Sequence, residues 1–147
     1  MAVIRNELIV MLNQALEMEH AARIQYLTHA EMIRGVDAEP VIERLKEIAS
    51  DEARHEGTFR DLIGNYLDGE PSMGIAATHK ARETCKILAT NFDGEKEAIG
   101  FYKIIYKKVI DNKDRLPDIF EALEHEIRHV IIEEQQHAAE LAVLLGK

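Results

Sequence analysis

Apolar residues recur at steps of three and four along four long stretches of the chain, separated by short polar breaks. In the first stretch Leu8, Leu12, Ala15, Ala22, Tyr26 and Ile33 share one face, the signature of an α-helix. The pattern predicts a helix over 3–33, ended by Arg34-Gly35-Val36-Asp37. A second helix is expected over 39–67, with Ile42, Leu45, Ile48, Phe59, Leu62 and Tyr66 inward. The clearest break follows, Asp68-Gly69-Glu70-Pro71-Ser72-Met73-Gly74. The third stripe, Leu88, Phe92, Ala98, Tyr102, Ile105 and Val109, predicts a helix over 78–110, with Gly94 as a weak point inside it. The turn 111–114 leads to a helix over 117–145, in which Pro117 suits the first turn. Phe120, Leu123, Ile127, Val130, Leu141 and Leu144 form its stripe. No segment has strand periodicity. The expected fold class is all-α, an antiparallel four-helix bundle.

Each stripe is interrupted where an apolar residue is due. The first helix reads Leu12, Ala15, Glu19, Ala22, Tyr26, and the second Ile48, Glu52, His55, Phe59. The third reads Leu88, Phe92, Glu95, Ala98, Tyr102, and the fourth Val130, Glu134, His137, Leu141. Four glutamates and two histidines therefore face one interior. Their heights agree as well, since Glu19 and Glu52 each lie about 15 residues, or roughly 22 Å of helix, from the turn between them. Burying carboxylates is costly unless positive charge faces them. Two divalent metals would balance four carboxylates, and a carboxylate–imidazole donor set suits Fe or Mn.

Glu-x-x-His alone is weak evidence, because Glu17/His20 and Glu126/His129 also match. Those two pairs fall beside the apolar stripes rather than within them. An internal repeat strengthens the other two. Glu19-x-x-Ala22-x-x-x-Tyr26 recurs as Glu95-x-x-Ala98-x-x-x-Tyr102, and each copy precedes a helix carrying Glu-x-x-His. The repeat also favours Glu95 over its competitor Glu97.

Charge and composition narrow the function further. The net charge of −9 argues against nucleic acid and anionic membranes as partners. No apolar run is long enough to span a bilayer, and the N-terminus reads as a helix start rather than a secretory signal. Cys85 is the only cysteine, which excludes an intrachain disulfide and a thiolate metal site; it is expected to be a small core residue. A reducing, cytoplasmic setting and a single domain over 1–147 follow as expectations.

The segments EHAARIQYL (19–27), DEARH (51–55) and EEQQH (133–137) resemble motifs of the ferritin-like superfamily, in its bacterioferritin and rubrerythrin branches. The resemblance covers nearly the whole chain. It implies a ferritin-like bundle whose second and third helices are joined by a long crossover, here over 68–78. It implies two iron ions, with Glu52 and Glu134 as bridging carboxylates, Glu19 and Glu95 as terminal ones, and His55 and His137 as one imidazole each. Ala53 stands where bacterioferritins carry a haem-ligating Met, so no haem is expected. The fifth helix and the rubredoxin domain of relatives are likewise not expected.

The expected function is oxidation of two Fe(II) by O2 or H2O2, a ferroxidase serving iron handling or protection from oxidative stress. Glu52 and Glu134 are the expected catalytic centre, with Tyr26, and by the same reasoning Tyr102, as redox candidates. The alternatives are a rubrerythrin-type peroxide reductase using an external electron donor, a manganese catalase-like enzyme, and a non-catalytic iron carrier. Association into a dimer or larger homo-oligomer is expected through the first two helices, where Ile9, Ile24, Leu27 and Met32 lie off the main stripe. His20 and His29 are expected to be surface or satisfied histidines, and His125 and His129 to be solvated on a charged face, with a secondary iron-entry role as their alternative.

Overall fold

A computed structural model describes residues 2–147. Four long helices, α1 (Ala2–Ala30), α2 (Ala38–Asp61), α3 (Thr84–Asp111) and α4 (Phe120–Leu144), make up the bundle. A single π-helical turn, Leu62–Tyr66, continues α2, and a short 3-10 turn, Lys113–Arg115, precedes α4. Helix α1 packs on α2 and α3 on α4, each pair joined by a short turn. Among the described residues there is no strand, and no helix is long and apolar enough to cross a membrane.

The third helix begins at Thr84, six residues later than the periodicity predicts. Chain reach explains the difference. The 24 residues of α2 rise about 36 Å. A link over 68–78 would reach at most about 39 Å fully extended, leaving no slack to bend back. Residues 67–83 instead form the crossover and reach roughly 55 Å. The start of the crossover is set by the π turn, where the Leu67 N–H bonds the Leu62 carbonyl at 3.0 Å, and by Asp68 in the left-handed region (φ 57°).

The crossover is strapped along α1. Arg5 donates to the Tyr66 carbonyl, Asn13 bonds both Glu70 and Ser72, and the Ala76 N–H reaches the Glu17 carbonyl at 3.0 Å. Two apolar residues placed off the main stripe are covered as a result. Ile9 meets Gly69 so closely that a Cβ there would lie 2.8 Å from Ile9 Cδ1, and Met32 packs on the core. Ile24 and Leu27 stay exposed. Tyr66 and Leu144, expected inward, are exposed, because both fall at helix ends beyond the packed faces. Cys85 is exposed in the first turn of α3, contrary to its expected place in the core.

The apolar core is divided in two. One cluster gathers Leu8, Leu12, Leu16, Phe59, Leu62 and Ile105, among others. The other gathers Ala30, Ile33, Leu45, Ile48, Ile87 and Leu141. A layer of buried polar side chains lies between them.

Candidate metal centre

Glu19 on α1, Glu52 and His55 on α2, Glu95 on α3, and Glu134 and His137 on α4 are each at most 3% exposed. Every one occupies a position in the apolar stripe of its helix, so helix packing carries it inward. Their ligand atoms form two groups, each within 4.8 Å: Glu19, Glu52, His55, Glu134 and Glu52, Glu95, Glu134, His137. Glu52 and Glu134 belong to both. Glu97, the competitor of Glu95, is exposed.

The two imidazoles face the carboxylates through Nδ1. His55 Nδ1 lies 3.3 Å from Glu52, 3.4 Å from Glu19 and 3.4 Å from Glu134. His137 Nδ1 lies 3.1 Å from Glu134 and 3.5 Å from both Glu52 and Glu95. Their Nε2 atoms point outward to carboxylates on the opposite helix. His55 Nε2 bonds Glu133 of α4 at 2.8 Å, and His137 Nε2 bonds Asp51 of α2 at 2.8 Å. Arg54 ties the pair together, donating to Asp51 at 2.7 Å and to both Glu133 oxygens at 2.7 and 3.0 Å. Such outer carboxylates fix ring orientation and leave Nδ1 free to bind a metal.

Asp51, Arg54 and Glu133 lie outside the apolar stripes, so helical periodicity does not single them out. A signal existed: an acidic residue directly precedes the glutamate of both Glu-x-x-His pairs, Asp51-Glu52 and Glu133-Glu134.

The tyrosines cross over between the repeats. Tyr26 of α1 donates to Glu95 of α3 at 2.6 Å, and Tyr102 of α3 donates to Glu19 of α1 at 3.0 Å. Burial and the adjoining carboxylates hold both phenols protonated, far above the ordinary tyrosine range. Nearby, Gln25, Asn91 and His29 form a buried chain. Gln25 donates to Asn91 at 3.0 Å, and Asn91 donates to His29 Nδ1 at 2.9 Å, so His29 is satisfied as expected. A cavity of about 140 Å³ between α1, α3 and the crossover, lined also by His79, reaches Glu19, Glu52, Glu95 and Glu134.

Crowding four carboxylates into a dry layer shifts their protonation. Burial, then the charge of Glu134, lifts Glu19 to about 7 and Glu95 to about 8. Burial and three neighbouring glutamates raise Glu52 well above the carboxylate range. Burial opposes charge on Glu134 too, but the facing His137 and His55 imidazoles outweigh it and hold Glu134 below the usual range. Burial likewise disfavours the imidazolium forms, yet the carboxylates beside them win, placing His55 at about 11 and His137 at about 10. Without a metal, protons and imidazolium charge balance the layer.

That balance is incomplete. Six buried side-chain atoms have no hydrogen-bond partner among the described residues: Glu19 Oε2, Glu52 Oε1, His55 Nδ1, Glu95 Oε2, Glu134 Oε1 and His137 Nδ1. They come one from each of the six residues. Buried polar atoms are nearly always paired, so six convergent orphans call for a partner that the protein does not supply. An oxygen and nitrogen donor set with four carboxylates fits two hard or borderline divalent cations.

A family model described as Ferritin, ferritin-like domain, matches residues 9–147. Several solved structures share the fold. A ferritin-like, diiron-carboxylate protein from Bacillus anthracis str. Ames superposes with a TM-score of 0.90 at 24% identity, covering 99% of each chain. A bacterioferritin from Desulfovibrio desulfuricans, described by its diiron site in different catalytic states, gives 0.86 at 25% identity over 99% of this chain and 81% of that one. A dodecameric thioferritin from Bacteroides fragilis gives 0.81 at 24% identity over 97% and 86% of the two chains. No curated protein matches the sequence.

Proposed function

The chain belongs to the ferritin-like domain family, and from that premise we propose that it binds two Fe(II) ions at the mid-bundle layer and oxidises them. The observation that carries this reading is the set of six orphaned atoms, one from each of six convergent side chains. In the proposed arrangement Glu19 and His55 serve one ion, Glu95 and His137 the other. Glu52 and Glu134 would be shared between the two ions, which their membership of both four-residue groups supports.

Each Fe(II) gives up one electron. The pair therefore reduces O2 to H2O2, or H2O2 to two waters, taking up two protons in either case. The protein holds the ions close together, neutralises their charge with four carboxylates, and excludes bulk water. The Asp51–His137 and Glu133–His55 bonds keep both imidazoles turned inward. Tyr26 and Tyr102 each donate to a terminal carboxylate and limit its rotation. Self-association belongs to the same reading: Ile24 and Leu27 are exposed on α1, and a structural neighbour is dodecameric.

The test is anaerobic loading with two Fe(II) per chain, followed by O2 or H2O2 in separate arms, recording the absorbance of the oxidised product and iron stoichiometry. Wild type is expected to oxidise two ions per event. Glu52→Ala, which removes a residue common to both groups, is expected to abolish paired oxidation. Oxidation by the variant at the wild-type rate would overturn the proposal.

A further inference from the structure

His125 and His129 lie one turn apart on α4, outside the mid-bundle layer, and both are exposed. Their rings sit with centroids 4.3 Å apart and planes tilted by 35°. Side chains at i and i+4 share a helix face, and two imidazoles so placed can close on one divalent transition-metal ion as an N,N chelate. The chain is acidic, with a net charge of −9, so its surface favours cations.

Their position gives the pair a direction. The four-residue step continues through Glu133 to His137, about 6 Å of helix per step. Glu133 is half-exposed and bonds His55 Nε2, while His137 is one of the six buried side chains. Four residues of metal-ligating type thus run along α4 from the surface to the interior: His125, His129, Glu133, His137. Arg54 stands across the last step, bound to Glu133 and Asp51, but its side chain is more than half exposed. Its exposed guanidinium is the group an arriving cation would displace from Glu133.

We propose that His125 and His129 form a second, external site for a divalent transition-metal ion, which captures Fe(II) and passes it along α4 towards the buried centre. The delivery step rests on the function proposed above; the capture site does not. Arg128, the basic residue between them in sequence, is already bonded to Glu124 at 2.8 Å.

The experiment is calorimetric titration of the full chain with Zn(II), a redox-silent ion of similar charge. Wild type is expected to show two tight sites and one weaker site. H125A/H129A should lose the weaker site alone, and Glu52→Ala should keep it while losing tight binding. As a second readout, substoichiometric Co(II) added to Glu52→Ala should broaden the ring proton signals of His125 and His129 before those of His20 and His79. Under limiting Fe(II), H125A/H129A should take up iron several-fold more slowly than wild type, with the difference vanishing at saturating iron. An unchanged site count in H125A/H129A, or no selective broadening, overturns the capture site. Equal uptake at limiting iron overturns delivery. Tight binding that survives in Glu52→Ala counts against the buried centre and leaves the external site to stand by its own readouts.

Discussion

Filling the buried layer with a divalent metal should raise the chain's thermal stability, and by more at pH 8 than at pH 6. Each buried polar atom without a partner costs about 1–3 kcal/mol, so six amount to something on the order of 10 kcal/mol, comparable with the whole stability of a domain. Protonation recovers part of this in the metal-free chain. A ligand at 100 times its Kd adds about 2.7 kcal/mol per site, hence about 5 kcal/mol for two sites. For a chain of this length that corresponds to roughly 10–20 °C in Tm. The pH dependence has a definite sign. Glu19, Glu52, Glu95, His55 and His137 all titrate above their ordinary values in the fold. Between pH 6 and 8 the metal-free folded chain therefore holds more protons than the unfolded chain, and its stability falls as pH rises. Glu134 is shifted the other way, but its effect lies at acid pH, below this window. Metal displaces these protons, so binding strengthens over the same interval. Calorimetric melts with and without Mn(II) at pH 6, 7 and 8 provide the measurement. A metal-free chain that grows more stable from pH 6 to 8, or a Tm indifferent to Mn(II), would refute the reasoning.

Arg54→Ala should weaken binding of both metal ions together, by up to about tenfold, because one guanidinium holds the carboxylates behind both imidazoles. Arg54→Lys should restore only part of the loss, since an ammonium cannot fork between two carboxylates; Mn(II) titration reads both. Cys85 should react with Ellman's reagent in the native chain nearly as fast as in denaturant, given its exposure at the start of α3. Leu12→Ala should cost about 2–5 kcal/mol in urea unfolding, because Leu12 is fully buried in the cluster with Leu8, Leu16 and Phe59, while metal stoichiometry stays at wild-type value.

Much of the bundle was legible because helix periodicity is a local property. Leu8, Leu12, Phe59, Leu62, Tyr102 and Leu141 fall on the faces their spacing assigns, and the structure buries all of them. The same phase places Glu19, Glu52, His55, Glu95, Glu134 and His137 inward, and an in-phase carboxylate is conspicuous against leucines. Residues whose role depends on another segment stayed hidden. Asp51, Arg54 and Glu133 look like ordinary solvated charges until α2 and α4 bring each beside the other's histidine. Gln25 and Asn91 find each other across α1 and α3. Ile9 reads as free surface until the crossover lies over it.

The sequence by itself thus determined which residues turn inward, since that needs only the rise and twist of a helix. Where α3 begins was decided by the distance the crossover must span, which no local pattern records. Cys85 ended in water for the same reason, carried to the first turn of a shortened helix. Tertiary packing alone decided the pairing across helices: Tyr26 with Glu95, Tyr102 with Glu19, and each imidazole with a carboxylate from the opposite chain segment. Those contacts join residues far apart in sequence, and their geometry exists only once the helices have docked.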